Sequence, residues 1–169
     1  MSEQTNTDVV RQVYEAFDRG DIPAMLGMLT DDVEFTMQGP PVLPYTGTHR
    51  GREGVTEFVS LLGETLEFER FELREFVAQG DTVVVLGDER SLVKSTGRAF
   101  EQEWAHVYTL RDGKIAKFRA FEDTAAQVVA FGAAQEGGGG GTSSDAASET
   151  KSAGTGIGPE AAAGQPTGA

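Results

Sequence analysis

The stretch from residue 97 to residue 124, GRAFEQEWAHVYTLRDGKIAKFRAFEDT, constrains the fold more than any other part of the chain. Polar and apolar residues alternate along most of it, which is typical of half-buried β-strands. The segment RDGK interrupts the alternation and places Gly113 where a hairpin turn favours a positive φ. The pattern therefore predicts two antiparallel strands, 98–110 and 115–121. The hairpin carries the only Trp and one of the two His, and we expect it to form the floor of a ligand site.

The other apolar patterns predict an α+β fold. Apolar residues recur at helical spacing in the N-terminal half and alternate with polar residues in several later segments. The predicted helices run from Asp8 to Gly20, after Asp21, and from Arg52 to Leu62; the predicted strands are 33–37, 66–76 and 82–94, and a loop spans 39–48. Long strands curl, so we expect a cone-shaped curved antiparallel sheet with the three helices on its concave face. Such a cone encloses an apolar cavity suited to a small molecule.

Composition divides the chain into three parts. Residues 1–7 are polar and predict a flexible N-terminus, residues 8–132 carry the periodic patterns of one domain, and residues 133–169 form a tail rich in Gly, Ala and Ser. From Gly137 onward the tail has no aromatic residue and one aliphatic residue besides Ala. Because it cannot bury enough apolar surface to offset chain entropy, the tail is predicted to be disordered.

The excess of acidic over basic residues limits which partners the protein is expected to bind, and other features of the sequence indicate its location. The chain has 27 acidic and 14 basic residues, a net charge of -13, so neither nucleic acid nor an anionic membrane is an expected partner. We expect no membrane-spanning helix and no signal peptide, because the apolar runs are short and the N-terminus is polar. A chain without Cys suits a reducing cytoplasm. Either solubility or adaptation to a salty cytoplasm explains the charge.

Three segments occur in an order and spacing shared with a known family: VYEAFDRGDIPAMLGMLTDDVEF, YTGTHRGREGVTEF and TLRDGKIAKFRAFEDTAA. Together they resemble SnoaL-like proteins, a branch of the nuclear transport factor 2-like superfamily close to proteins called ketosteroid isomerase-related. The resemblance covers about residues 8–132 and implies the cone-shaped fold. It also implies a homodimer through the outer face of the sheet. The candidates to cover that face are Val84, Leu86, Val107 and Phe121.

The catalytic positions of a ketosteroid isomerase are not kept in this chain. The resemblance places Met37 at the catalytic base, and a thioether cannot accept a proton. It places Val13, next to Tyr14, at the Tyr of the oxyanion hole, and His106 at the protonated Asp of that hole. The resemblance therefore does not support steroid isomerisation.

His106, Glu122 and Tyr14 are the candidate catalytic residues. The resemblance turns the face of the strand that carries His106 toward the cavity. An imidazole on an apolar wall can act as a general acid or base, or it can be a core histidine that bonds a neighbour. Glu122 could pair with His106, or it could cap the final helix, the role that suits Asp123. Tyr14 could point its hydroxyl group into the cavity or pack against the sheet.

Apolar and aromatic residues on the inward faces predict a ligand pocket. The predicted lining residues are Phe17, Phe35, Met37, Phe58, Trp104, Tyr108 and Phe118. Either Glu89 or Arg90 faces this pocket, since they are adjacent on a strand, and an inward charge needs a partner. The cluster His49, Arg50 and Arg52 could bind an anion or lie in solvent. The spacing of the two His is not that of a metal site, so no metal and no cofactor is expected.

The sequence thus predicts a small-molecule-binding domain that uses acid–base chemistry in an apolar pocket. Isomerisation, dehydration and hydrolysis all suit such a site, and the ligand is a compact, partly apolar molecule. The alternative is a non-catalytic module for ligand binding or dimerisation. An ionisable partner of His106 inside a closed pocket would favour the enzyme.

Overall fold

The computed structural model describes residues 1–132, and the predicted disorder of residues 133–169 lies outside this range. The elements are α1 (Glu3–Asp18), α2 (Ile22–Gly27), β1 (Leu29–Met37), β2 (Gly47–Arg50), α3 (Gly51–Thr65), β3 (Leu66–Gln79), β4 (Thr82–Val93), β5 (Arg98–Arg111), β6 (Lys114–Glu122) and α4 (Thr124–Ala130). None of the helices in residues 1–132 has the length and apolar character needed to cross a membrane.

Side-chain caps fix the starts of three helices. Asp21 begins α2 by accepting a hydrogen bond from the backbone N–H of Ala24, and Asp123 begins α4 in the same way. Both caps were predicted. Ser2 caps α1 through a bond from the backbone N–H of Thr5, which the sequence pattern did not reveal.

The six strands form one open sheet in the order β2-β1-β6-β5-β4-β3. Neighbouring strands pair antiparallel, except β1 and β6, which run parallel. This parallel pairing was not predicted, and it joins the N-terminal strand to the end of the meander formed by β3–β6. Register shifts in β3 mark bulges that bend the long strands. The curved α+β architecture expected from the sequence is confirmed.

Helices α1, α2 and α3 pack against this sheet and close its concave side. Their inward residues meet the inward residues of the strands in one apolar core. The largest fully buried side chains include Tyr45, Leu29, Leu43, Ile115 and Gln127. A polar amide among them indicates that the core contains a hydrogen-bonded site.

The first helix begins at Glu3 rather than at the predicted Asp8, so residues 3–7 are helical. Asn6 is only 1% exposed, and its Nδ2 donates to the carbonyl oxygen of Gly80 at 3.2 Å. A long-range contact of this kind leaves no apolar periodicity in the sequence, which is why the first turn was missed.

The predicted loop at 39–48 ends in a short strand. Strand β2 pairs with β1 from Met37 opposite Gly47 to Glu34 opposite Arg50. Thr36 and Thr48 join their hydroxyl groups across this pair at 3.0 Å. Because β2 lies at the sheet edge and its residues are mostly exposed, it carries no apolar alternation that could have predicted it.

Gly87 allows the indole ring of Trp104 to lie against the backbone of β4. The two residues are opposite each other in the register of β4 and β5. A Cβ atom at Gly87 would overlap both the Trp104 ring and the carbonyl oxygen of Glu72. This position therefore requires Gly for reasons of space, not of backbone conformation.

We expect Gly87→Ala to lower the free energy of unfolding by about 1–3 kcal/mol, because the ring and the backbone must shift to admit the methyl group. Gly63→Ala is the control: Gly63 lies in α3 with open space around it, so Ala should stabilise the protein by about 0.5–1 kcal/mol. Urea denaturation measures both. Wild-type stability of the Gly87 variant would contradict the close packing.

Candidate functional site

A cavity of about 80 Å³ lies inside the cone, bounded by the sheet and by helices α1 and α3. Its lining includes six of the residues predicted for the pocket: Phe17, Phe35, Met37, Phe58, Tyr108 and Phe118. None of its lining residues is Lys or Arg. Pockets for drug-sized ligands usually measure about 300–1,000 Å³, so only a compact molecule fits here without movement of the walls.

The three candidate catalytic side chains form one hydrogen-bonded chain on the cavity wall. The hydroxyl oxygen of Tyr14 lies 2.7 Å from Nδ1 of His106, and Nε2 of His106 lies 3.4 Å from Oε1 of Glu122. A carboxylate only accepts, so neutral His106 donates from Nε2 to Glu122 and accepts at Nδ1 from Tyr14. The side chains of His106 and Glu122 are each 8% exposed. His106 therefore has an ionisable partner on the wall of the cavity.

The phenol of Tyr14 remains protonated in these surroundings. Burial, together with the neighbouring Tyr108, raises the pKa of Tyr14 well above its ordinary value. Burial raises the pKa of Tyr108 as well. Tyr14 can therefore pass its proton to His106 only while it receives another, which is the behaviour of a proton relay.

Glu122 is held by three side-chain donors. In addition to His106, Nε2 of Gln102 donates to Oε2 of Glu122 at 3.0 Å, and Nε2 of Gln127 donates to the same atom at 2.6 Å. Gln127 in turn accepts a bond from the hydroxyl group of Tyr45 at 2.7 Å. These hydrogen bonds fix the position of the carboxyl group beside His106. The alternative role of helix cap belongs to Asp123.

Glu89 faces the cavity and Arg90 faces outward, which resolves the alternative that the sequence left open. Glu89 is 4% exposed, lines the cavity and accepts a bond from Gln102. Arg90 donates instead to Glu69 and Glu101 on the outer surface. Burial, together with the negative charge of Glu122, raises the pKa of Glu89 to about 8.

Trp104 does not line the cavity, so its place in the predicted pocket is corrected. Its indole ring lies behind His106 and stacks on the imidazole, with ring centroids 4.0 Å apart. The indole also stacks with the ring of Phe71, with centroids 4.9 Å apart. The stacked indole restrains the rotation of the imidazole ring.

The basic residues around the start of α3 contact acidic side chains of the protein itself. Arg50 pairs with Glu34, and Arg52 pairs with Asp31 at 3.2 Å. His49 lies with Nε2 3.0 Å from the carbonyl oxygen of Tyr45. Within residues 1–132, no group of three acidic or imidazole side chains is placed to hold a metal ion.

Gln102, Gln127 and Tyr45 were not predicted as site residues. Gln102 lies on the same face of β5 as His106. The alternation of residues along that strand could therefore have indicated that Gln102 faces the site. Tyr45 and Gln127 lie in a loop and in the last helix, and only the tertiary fold brings them together. No local pattern could have paired them.

A family model described as the SnoaL-like domain matches residues 10–118 of the chain. The chain belongs to the SnoaL-like family, within the nuclear transport factor 2-like superfamily, and the resemblance found in the sequence is confirmed. Among curated proteins, none matches the sequence significantly.

Several solved structures of NTF2-like proteins are similar to this one. A protein from Burkholderia xenovorans LB400 is 36% identical, with a TM-score of 0.73, over 78% of this chain and 98% of its own. A protein from Burkholderia pseudomallei K96243 is 33% identical, with a TM-score of 0.68, over 79% and 100%. TerC, co-crystallised with polyporic acid, is 28% identical, with a TM-score of 0.67, over 76% and 99%.

The single Trp provides a direct test of the His106 geometry, because its indole ring stacks on the imidazole. We expect His106→Gln to change the emission of the indole, since the stacked ring is lost. His49→Gln, the matched control, should leave the emission as in the wild type. Unchanged emission in His106→Gln would contradict the stacking.

Proposed function

We propose that this protein carries out acid–base chemistry on a compact, neutral, partly apolar molecule held in the cavity. The observation that carries the proposal is the chain Tyr14–His106–Glu122, which opens into an apolar cavity. A neutral imidazole with a carboxylate behind it and a phenol in front of it is equipped to move one proton. Isomerisation, dehydration and hydrolysis all require such a step.

In the proposed step, Tyr14 accepts a proton from the bound molecule as its own proton passes to Nδ1 of His106. The resulting imidazolium is stabilised by Glu122 at Nε2 and by the face of Trp104. Return of the proton through Tyr14 to a different atom of the molecule completes an isomerisation. Its return to a leaving hydroxyl group releases water and completes a dehydration.

The walls of the cavity define the class of ligand. The apolar lining favours carbon-rich molecules, and the acidic groups without Lys or Arg disfavour anions. The structure of TerC with polyporic acid supports a small-molecule ligand for this fold. A cytoplasmic location and adaptation to salt, expected from composition, remain predictions.

Exchange of the α-hydrogens of cyclohexanone in D₂O, followed by proton NMR, tests the proposal with a compact neutral probe. The wild-type protein should accelerate exchange, and His106→Gln should reduce the catalysed rate by about 10²–10⁴-fold, the usual contribution of a general acid or base. His49→Gln is the control and should retain most of the rate. Equal rates for wild type and His106→Gln would contradict the role of His106.

Native mass spectrometry identifies the natural ligand. Protein purified from its own source should carry a molecule of defined mass, which then replaces cyclohexanone as the probe. Loss of this mass in a variant that fills the cavity, such as Val59→Trp, would place the molecule among the lining residues, which include Val59.

A dimerisation role is supported by the outer face of the sheet. This outer patch consists of Val84, Leu86, Val107 and Phe121, and Leu86 and Phe121 are 38% and 42% exposed. Charged residues surround it: Arg119 lies over the Phe121 ring, and Glu103 is exposed on β5. An apolar centre with a polar rim is typical of an interface between protein copies, so we propose a homodimer through this face.

We expect Leu86→Glu to convert the dimer to a monomer, because it places a charge at the centre of the outer patch. Val129→Glu is the matched control: Val129 is 54% exposed but lies on α4, away from the patch. Size-exclusion chromatography with light scattering measures the mass of each variant. A monomeric wild-type protein would refute the proposed dimer.

A further inference from the structure

Glu89 is a buried acid of the cavity that the Tyr14–His106–Glu122 chain does not use. It lies in the middle of β4, is 4% exposed and lines the cavity. Its Oε1 accepts a hydrogen bond from Nε2 of Gln102. Within residues 1–132, the hydroxyl group of Ser91 on the same strand is the only other side-chain donor to this carboxyl group. Because Glu89 lines the cavity, its carboxyl group can also meet a bound molecule.

The two acids of the cavity share one amide group. Nε2 of Gln102 donates one hydrogen to Glu89 and the other to Glu122, and Oε1 of Gln102 accepts from Gln127 at 3.1 Å. The opposite orientation of the Gln102 amide would set its carbonyl oxygen against both carboxyl groups. The network therefore fixes Gln102 with its donors toward the acids.

The two acids, Glu122 and Glu89, accept different numbers of hydrogen bonds. Glu122 accepts from His106, Gln102 and Gln127, whereas within residues 1–132 Glu89 has only Gln102 and the hydroxyl group of Ser91 as side-chain donors. No Lys or Arg lines the cavity, so a second buried carboxylate would lack a counter-charge. The neutral form therefore suits Glu89.

We propose that Glu89 is a second functional acid of this site, a neutral carboxylic acid whose Oε2–H donates a hydrogen bond to an acceptor oxygen of the bound molecule. The ligand class is therefore a compact neutral molecule with a carbonyl or a similar acceptor oxygen, held by Glu89 while Tyr14 meets its reacting atom. This inference rests on the proposed function in one respect, since both place the ligand in the same cavity.

The other groups that face Glu89 agree with this assignment. Glu122 on β6 carries negative charge, and Tyr45 in the loop before β2 is neutral, because burial raises the pKa of its phenol. His106 on β5 donates to Glu122 and not to Glu89. With burial as the main cause and Glu122 as the second, the pKa of Glu89 rises to about 8.

Thermal unfolding as a function of pH tests the neutral state of Glu89. The folded pKa of about 8 lies above the ordinary value of 4.5, so the folded protein binds the proton more tightly than the unfolded chain. Stability from this proton is present below pH 4.5 and is lost as the pH rises to 8. The melting temperature of Glu89→Gln should therefore rise relative to wild type between pH 5 and pH 9.

Glu67→Gln, at an exposed position of β3, is the control and should follow the wild type at every pH. Carbon-13 NMR of the intact wild-type protein, labelled at Glu, gives a second measurement. It does not depend on whether the variant folds. The Glu89 carboxyl signal should keep the chemical shift of a protonated acid at pH 7. A carboxylate shift at pH 7, or a melting difference that does not change with pH, would overturn the proposal.

Binding of three six-membered-ring probes tests the donor role: cyclohexanone, cyclohexylammonium and cyclohexanecarboxylate. By NMR shift titration at pH 7, Glu89→Gln should bind cyclohexanone within about twofold of wild type, because an amide keeps a donor. Glu89→Met should bind it about three- to tenfold more weakly, the usual effect of one neutral hydrogen bond. Both charged probes should bind the wild-type protein more weakly than cyclohexanone.

Tighter binding of cyclohexylammonium that Glu89→Gln abolishes would show that Glu89 acts as a carboxylate and would overturn the proposal. If the wild-type protein does not bind cyclohexanone, the proposed ligand class, a compact neutral molecule with an acceptor oxygen, is wrong. The proposed function fails separately, through equal exchange rates in wild type and His106→Gln. The unfolding and NMR measurements on Glu89 do not depend on that result.

Discussion

The antiparallel pairing of β5 with β6 is the interaction on which the candidate site depends. It sets Trp104 opposite Glu122 and His106 opposite Ala120, so His106 and Glu122 are diagonal neighbours on one face of the sheet. Diagonal neighbours lie within reach of long side chains, and the small Ala120 leaves room for the imidazole and the carboxylate to meet. A shift of one residue in this register would place His106 and Glu122 on opposite faces of the sheet.

The fold can hold a carboxylate in an apolar interior because several elements supply hydrogen bonds to it. Gln102 comes from β5, and Gln127 comes from α4, the helix that Asp123 begins directly after β6. Tyr45, from the loop before β2, orients Gln127. A buried polar network of this kind stabilises a fold only when its members find partners, so the short final helix and the loop contribute to the site as much as to the core.

Much of the architecture was predictable because periodicity records which face of an element is buried. The hairpin around Gly113, the caps at Asp21 and Asp123 and the burial of Phe35 follow from local patterns, and the family resemblance places Phe118 inward. The first turn of α1, strand β2 and the parallel pairing of β1 with β6 were missed, since long-range contacts decide them and leave no local pattern.

By itself, the sequence determined the α+β class, the faces of the strands and the presence of a titratable group, His106, on an inward face. Only the tertiary structure decided which partners that group has. Tyr14 and His106 are separated by 92 residues, and Tyr45 and Gln127 by 82. It also decided that Glu89 faces inward and that Trp104 lies behind the cavity wall. Hydrogen bonds and stacking act over a few ångströms in space, and position along the chain does not encode such distances.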